Sequence, residues 1–473
     1  MATSLPAGLM RGTKLPLVIN PLGARYGTFW NARYKSTLSI PASKASKDGP
    51  QLPPHSLLPN KMLLRSLMVA TVSSHPWLLS AALRVLSTLV HPKLSVLDVN
   101  KNPLLRRFIK TTFYNHFCAG ENGAEVKSTI GNIKNMGFKG VILTYAREIV
   151  VDASNQSPSS PESAKEASNV PDPKETSKNA DIEAWRDGVL ETVRMVGEGD
   201  ILALKLTGAG QPAMQALSAG QPLPAQMVTA LREICDRAVE QKARIFIDAE
   251  QQSVQAGIDA IALDLMRQYN QGPAVVFNTY QAYLKSTPTN LLGHVELAEK
   301  ERFTLGIKLV RGAYISSEPR GLINDTKADT DDSFNTTAEG IIRCQFGTFG
   351  SEKRPFPPVE LFIATHNNES AMKADALITE QLSAGKTPPK VQYGQLLGMA
   401  DGVSCRLLQL GMEDNTRQEP PEVFKCLSWG TIGDCLSYLM RRAVENRDAV
   451  GRTKEESLQL RQEVFRRIKR LFW

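Results

Sequence analysis

The chain has no acidic residue before Asp48, no Cys-x-x-Cys and no His-Glu-x-x-His. It also lacks any uninterrupted apolar run that spans a bilayer. Each absence closes a class of function. The six cysteines have no paired spacing, which suits reduced intracellular thiols and not a disulfide framework. The six histidines are scattered, so a structural zinc site is not expected, and no metal is assigned. The nearest approach to a membrane span is "SLMVATVSSHPWLLSAAL", residues 66–83. His75, Pro76 and several serines interrupt it, and it reads as two short buried helices broken at Pro76.

The missing acids also explain the net charge of +8. Seven cations precede Asp48, from Arg11 to Lys47, among many Ser, Thr and Ala. A basic, Ser-rich, acid-free leader is the composition of an organelle transit peptide. Residues 1–36 are therefore expected to be a mitochondrial targeting segment. Its removal lowers the charge to about +3, so the basic balance indicates import and no nucleic-acid partner. A plain basic tail is the alternative.

Residues 37–135 read as an N-terminal helical arm. A rhythm then begins with "GVILTYARE" (140–148). Residues 152–181, rich in Ser, Pro, Glu and Lys, cannot bury enough apolar surface to offset ordering entropy and are expected to be a disordered insertion. The rhythm resumes in "DILALKLTG", "RIFIDAE", "AVVFNTYQAY", "LGIKLVRGAY", "VELFIATHN", "VQYGQLLG" and a weak eighth run, "KCLSWG" (425–430). Amphipathic helical stretches separate most of them. Eight strand–helix alternations predict an α/β fold with a parallel sheet. Their number within residues 136–450 favours a closed (β/α)8 barrel over a doubly wound open sheet. The run "GAGQPA" (208–213) mimics a dinucleotide fingerprint. The acid that should end the next strand about 20 residues on arrives only at Asp248.

In a barrel, chemistry gathers at the carboxyl ends of the strands. Those ends here carry Lys205, Asp248, Gln281, Lys308, Arg311, Thr365, His366 and Gln395. One polar strand end means little; successive ends that can converge on one mouth mean more. Beyond the last strand, "YLMRRAVEN" (438–446) sets Tyr438, Arg441, Arg442 and Glu445 on one helical stripe.

With "DAE", "YQAYL", "KLVRGAY", "ATHN", "QLLGM" and "YLMRRAVEN" in this order, the chain resembles the proline dehydrogenase family, specifically its mitochondrial single-function members. The resemblance runs from about Gly140 to Asn446, apart from the insertion. It implies a (βα)8 barrel whose last helix caps the mouth, bound FAD, and oxidation of L-proline to Δ1-pyrroline-5-carboxylate by hydride transfer to the flavin. Electrons would pass to a membrane quinone from the matrix side.

The resemblance also implies roles. Arg441 and Arg442 would hold the substrate carboxylate, oriented by Glu445, with Lys205 a further contact and Tyr438 and Tyr314 against the ring. Asp248 and Lys308 would be catalytic. Lys308 would face the flavin and raise its potential, and Asp248 would organise charge, since an aspartate among cations is a poor base. Family members of bacterial origin often carry arginine where Lys308 stands. Ala249, Gln281, Arg311, Gly312, Ala313, Thr365, His366 and Gln395 match flavin contacts.

One position departs: Cys426 stands where the family usually has tyrosine. The smaller side chain suggests tolerance of 4-hydroxyproline, unless Trp429 or a loop fills the gap. A hydroxyproline-preferring enzyme and a non-catalytic ligand-binding barrel are the alternative functions. The basic amphipathic tail, residues 451–473, fits either a membrane surface or a dock on the barrel.

Overall fold

The computed structural model describes residues 52–90, 94–145, 178–413, 419–448 and 450–472. The expected targeting segment, and residues 152–177 of the expected insertion, lie outside the described residues. The last residues assigned to the insertion are ordered: Asn179 caps a helix, Ala180–Met195, by accepting from the backbone N–H groups of Asp181 and Ile182. That cap is an Asn-x-x cue embedded in a polar stretch, which hides it from a compositional reading.

The described residues form eight strands: β1 (Gly140–Tyr145), β2 (Ile201–Leu204), β3 (Arg244–Ile247), β4 (Val276–Gln281), β5 (Leu305–Val310), β6 (Val359–Ala364), β7 (Lys390–Leu396) and β8 (Glu422–Trp429). They close into one barrel in sequence order. All pairs are parallel, and β8 returns to β1 with Cys426 opposite Ile142. The doubly wound alternative is thereby excluded.

Strand side chains alternate between the bore and the helix layer. Phe246, Phe277, Phe362 and Phe424 fill the bore with Ile142, Ile201 and Ala203. Neighbouring rings meet edge-on at centroid distances of 4.8–5.6 Å. Gly394 makes room for this layer, because a Cβ there would lie 2.6 Å from the Phe362 ring. The alternate residues, among them Leu202, Ile245, Val276, Leu361 and Leu427, join the helices in the main core. Below the rings Arg244 closes the bore, stacked on Phe277 and Phe424 and 3.7 Å from Glu360.

The arm contains α1 (Asn60–Ser74), α2 (Pro76–Val90) and α3 (Pro103–Ile109). Pro76 starts α2, where its missing N–H costs nothing. The expectation that residues 66–83 form buried helices is corrected: both helices are amphipathic, and Trp77 is 70% exposed. After α3 a π-helical turn, Lys110–Tyr114, brings the Tyr114 hydroxyl to the Gly430 carbonyl at 2.6 Å. The following residues pair with the end of β8, Ala119 N–H donating to Ser428 O.

A buried ion pair ties arm to barrel. Lys425 Nζ donates to Asp401 Oδ1 at 2.7 Å, both side chains 2% exposed, and Ser66 of α1 donates to Asp401 Oδ2. After β8 come the cap helix (Ile432–Asp448) and the tail helix (Val450–Phe472). The tail helix docks. Leu460 packs with Leu58, Leu63 and Ala70, and Arg467 donates to the carbonyls of His55, Ser56 and Leu58.

Candidate active site

The alternation that buries the phenylalanines also sets what stands above them. Two residues beyond Phe246 is Asp248; two beyond Ala203 is Lys205; four beyond Phe277 is Gln281; two beyond Phe424 is Cys426. Lys308 follows the same rule on β5. Its Nζ donates to Asp248 Oδ1 at 2.6 Å and lies 5.2 Å from the Phe246 ring. The two side chains are only 12% and 17% exposed.

Cys426 marks the centre. Burial pushes its thiol up to about 11, while Lys308, Arg442 and Lys205 pull it down and Asp248 pushes it up. Four charged groups from β5, β3, the cap helix and the end of β2 thus act on one sulfur. Three of these groups are cations and one is a carboxylate.

The cap helix supplies the roof. Tyr438 and Arg442 are buried, and the guanidinium stacks over the phenol ring at 4.9 Å. Burial pushes the Tyr438 hydroxyl above its ordinary range. Two residues of the expected stripe are thus buried. The side chains of Arg441 and Glu445 lie outside the described ones.

Other expected residues form the frame. Arg311 donates to Asp331 at 2.8 Å, Thr365 Oγ1 at 2.6 Å and Ser370 Oγ at 2.8 Å, and stacks on Phe334. Thr365 and Gln395 sit out of phase with the bore: Gln395 Nε2 reaches the Thr365 carbonyl and its Oε1 accepts from Ser404. These bonds all go to protein groups. His366 Nε2 accepts from Leu396 N–H at 3.1 Å, which leaves the ring proton on Nδ1. Gln281 Nε2 donates to the Glu250 carbonyl.

Ala249 follows Asp248 and is half-buried, Gly312 and Ala313 are exposed, and Tyr314 is half-buried. Gly312 has φ +138°, and a Cβ there would fall 2.1 Å from the Tyr283 ring. Only glycine fits.

Sequence reasoning missed Glu250 and Gln252. Glu250 accepts from Thr207 N–H at 3.1 Å and from the Thr207 hydroxyl, and burial pushes its carboxyl up despite Lys205. Gln252 Nε2 is buried with no partner among the described residues. Glu250 stood inside the "DAE" motif; nothing in the sequence singled out Gln252.

The profile of one family, proline dehydrogenase, matches residues 126–455. The chain belongs to the proline dehydrogenase family. Membership makes it an oxidoreductase acting on proline. A protein of Schizosaccharomyces pombe named probable mitochondrial proline dehydrogenase is 32% identical over 448 residues, covering 86% of this chain and 88% of that one. A Bos taurus hydroxyproline dehydrogenase is 26% identical, covering 76% and 82%. Among solved structures, proline utilization A of Bdellovibrio bacteriovorus, inactivated by N-propargylglycine, superposes with a TM-score of 0.57 at 14% identity. The match covers 80% of this chain and 38% of that one, and shows a shared fold. The proline dehydrogenase profile spans every strand of the barrel and the whole cap helix.

Proposed function

We propose that the chain oxidises L-proline to Δ1-pyrroline-5-carboxylate with FAD held across the barrel mouth, and that a quinone receives the electrons. The carrying observation is the enclosed Lys308–Asp248 pair, 2.6 Å apart above the phenylalanine layer, with Arg442 buried over Tyr438 on the cap helix. An excess of cations in a largely buried cup suits a small carboxylate. Arg442, over Tyr438, would grip it from the roof, Arg441 would join from the same helix, and Lys205 would meet it from the strand end. Glu445 and Tyr314 are proposed to complete the substrate site.

The residues fit a flavin dinucleotide. Lys308 and Arg311 offer positive charge, the Gly312–Ala313 backbone is open, and the buried Gln252 amide has a donor to give. Ala249, Gln281, Arg311, Gly312, Ala313, Thr365, His366 and Gln395 would hold the cofactor directly or through the frame described above. The flavin, when bound, supplies a two-electron acceptor for the hydride that leaves the ring carbon beside the amine.

The protein's part is orientation and charge. The cup holds the carboxylate so that the ring lies beneath Tyr438. Lys308, fixed by Asp248, presents a cation to the cofactor's side of the cup. Asp248, engaged with Lys308, organises that charge and does not serve as a free base.

A mitochondrial, matrix-side location is part of the proposal. It rests on the acid-free basic leader and on relatives named mitochondrial. A second reading, preference for 4-hydroxyproline, is favoured by Cys426, a smaller side chain than the tyrosine usual in the family at this position.

The test is oxidation of L-proline with a soluble quinone analogue, with the pyrroline product trapped chemically. Stoichiometric product is expected; a flavin-bearing protein that forms none contradicts the proposal. Cys426→Tyr should lower kcat/KM for 4-hydroxyproline relative to proline about tenfold. An unchanged ratio would reject the second reading.

A further inference from the structure

The motif "DAE" holds two acids, and the structure gives them separate tasks. Asp248 fixes the Lys308 ammonium. Glu250, 5% exposed, reaches instead to the neighbouring strand end, that of β2. Its Oε1 accepts from Thr207 N–H at 3.1 Å, and its Oε2 accepts from the Thr207 hydroxyl. A buried carboxyl is costly unless its oxygens are bonded, and here both accept from one residue. That residue lies in the turn Leu206–Ala209, and Lys205 is the residue that opens the turn.

The anchor is itself held. Glu250 N–H donates to Gln255 Oε1 at 2.9 Å, and the Glu250 carbonyl accepts from Gln281 Nε2 at 3.1 Å. Gln255 donates in turn to Asp259 at 2.8 Å, and Asp259 also accepts from Asn278 of β4. The helix Gln252–Tyr269 and β4 thus keep Glu250 still. The turn is gripped from the helix layer as well, where Trp185 Nε1 donates to the Lys205 carbonyl at 3.1 Å. Together these contacts fix the backbone at Lys205 and two residues beyond it. Burial pushes the Glu250 carboxyl up and the Lys205 ammonium opposes it, so the two groups feel one another.

We propose that Glu250 is a positioning residue for substrate binding: through Thr207 it sets the turn that aims Lys205 at the carboxylate of proline. The inference rests on the contact between Lys205 and that carboxylate proposed above. A lysine is a point charge on a long flexible stem, so its grip on a fixed anion depends on where its backbone is held. Without the clamp the ammonium still reaches the cup but spends less time in the bonding position. Substrate affinity should then weaken, while hydride transfer beside the Lys308–Asp248 pair changes little. A carboxyl that only stabilised the fold would act independently of Lys205.

The test is a double-mutant cycle on the full chain with its flavin, read as KM and kcat for L-proline with a soluble quinone analogue. Lys205→Met should raise KM at least about tenfold. Glu250→Gln should raise it about three- to tenfold, with kcat within about twofold of wild type. The double variant should show the KM of Lys205→Met alone, because the clamp has nothing left to aim. The rise in Tm that L-proline confers without an acceptor should shrink in the same pattern. Thr207→Val removes the hydroxyl bond from the other side and should repeat these results; it carries the cycle if Glu250→Gln does not fold. A wild-type KM in either clamp variant, or effects that multiply in the double variant, would overturn the inference and leave Lys205 in its place. A wild-type KM in Lys205→Met would overturn it together with the substrate contact on which it rests.

Discussion

Replacing Asp248 by Asn keeps the shape of the side chain and removes its charge. In the structure that charge accepts from Lys308 Nζ at 2.6 Å in a mostly enclosed setting. A hydrogen bond to a charged partner contributes about 1.5–3 kcal/mol net. Lys308 retains a weaker tether, the Phe246 ring at 5.2 Å, of about 0.5–2 kcal/mol. The ammonium should therefore stay in the bore but lose its fixed position. If nearly all of the lost interaction serves the reaction, the barrier rises by about 1.5–3 kcal/mol, at least tenfold in kcat. Arg442 belongs to a different element, so KM for proline should change less than about threefold. Steady-state kinetics with a soluble quinone analogue measure both constants, with flavin absorbance per protein and Tm taken on the same samples. A variant whose Tm falls while kcat stays within about twofold of wild type would make the pair purely structural and refute this reasoning.

Arg442→Met should raise KM for proline about ten- to a hundredfold through loss of a charge-assisted contact, with flavin still bound; an unchanged KM removes the roof assignment. Gly312→Ala forces a side chain onto a φ of +138° and onto the Tyr283 ring, so flavin content and stability should both fall, stability by about 1–3 kcal/mol from the backbone alone; normal flavin loading contradicts this. His116 is held down to about 4 by burial, with Arg65 and Lys425 adding to it and Asp401 opposing. The neutral ring is favoured in the fold, so its stabilising effect is complete above pH 6.5 and is lost as pH falls from 6.5 towards 4, at up to about 1.4 kcal/mol per unit. Urea midpoints across that range should fall, and His116→Gln should flatten part of the slope; an identical slope in the variant would move the effect elsewhere.

The barrel was legible because parallel strands buried on both faces read as apolar runs that end where the chemistry begins. β8 was the faint one for a physical reason. Lys425 breaks its apolar run, yet it is buried against Asp401, and a charge whose partner is 24 residues away reads as solvent-facing. Lys205, Asp248 and Lys308 were legible as strand ends. Alternation of the strand also separates bore residues from Thr365 and Gln395, which the motifs alone group together. Gln252 was invisible because an amide at a helix start is ordinary until its surroundings are seen. The outer face of α2 was misread because apolar content does not say what covers a helix.

The most direct measurement of the central claim is an anaerobic titration of the purified chain with L-proline, following the visible absorbance of bound flavin. The account predicts a yellow protein that bleaches as proline is added, with one pyrroline product formed per flavin reduced. A chain that carries no flavin, or one whose flavin stays oxidised under saturating proline, contradicts it.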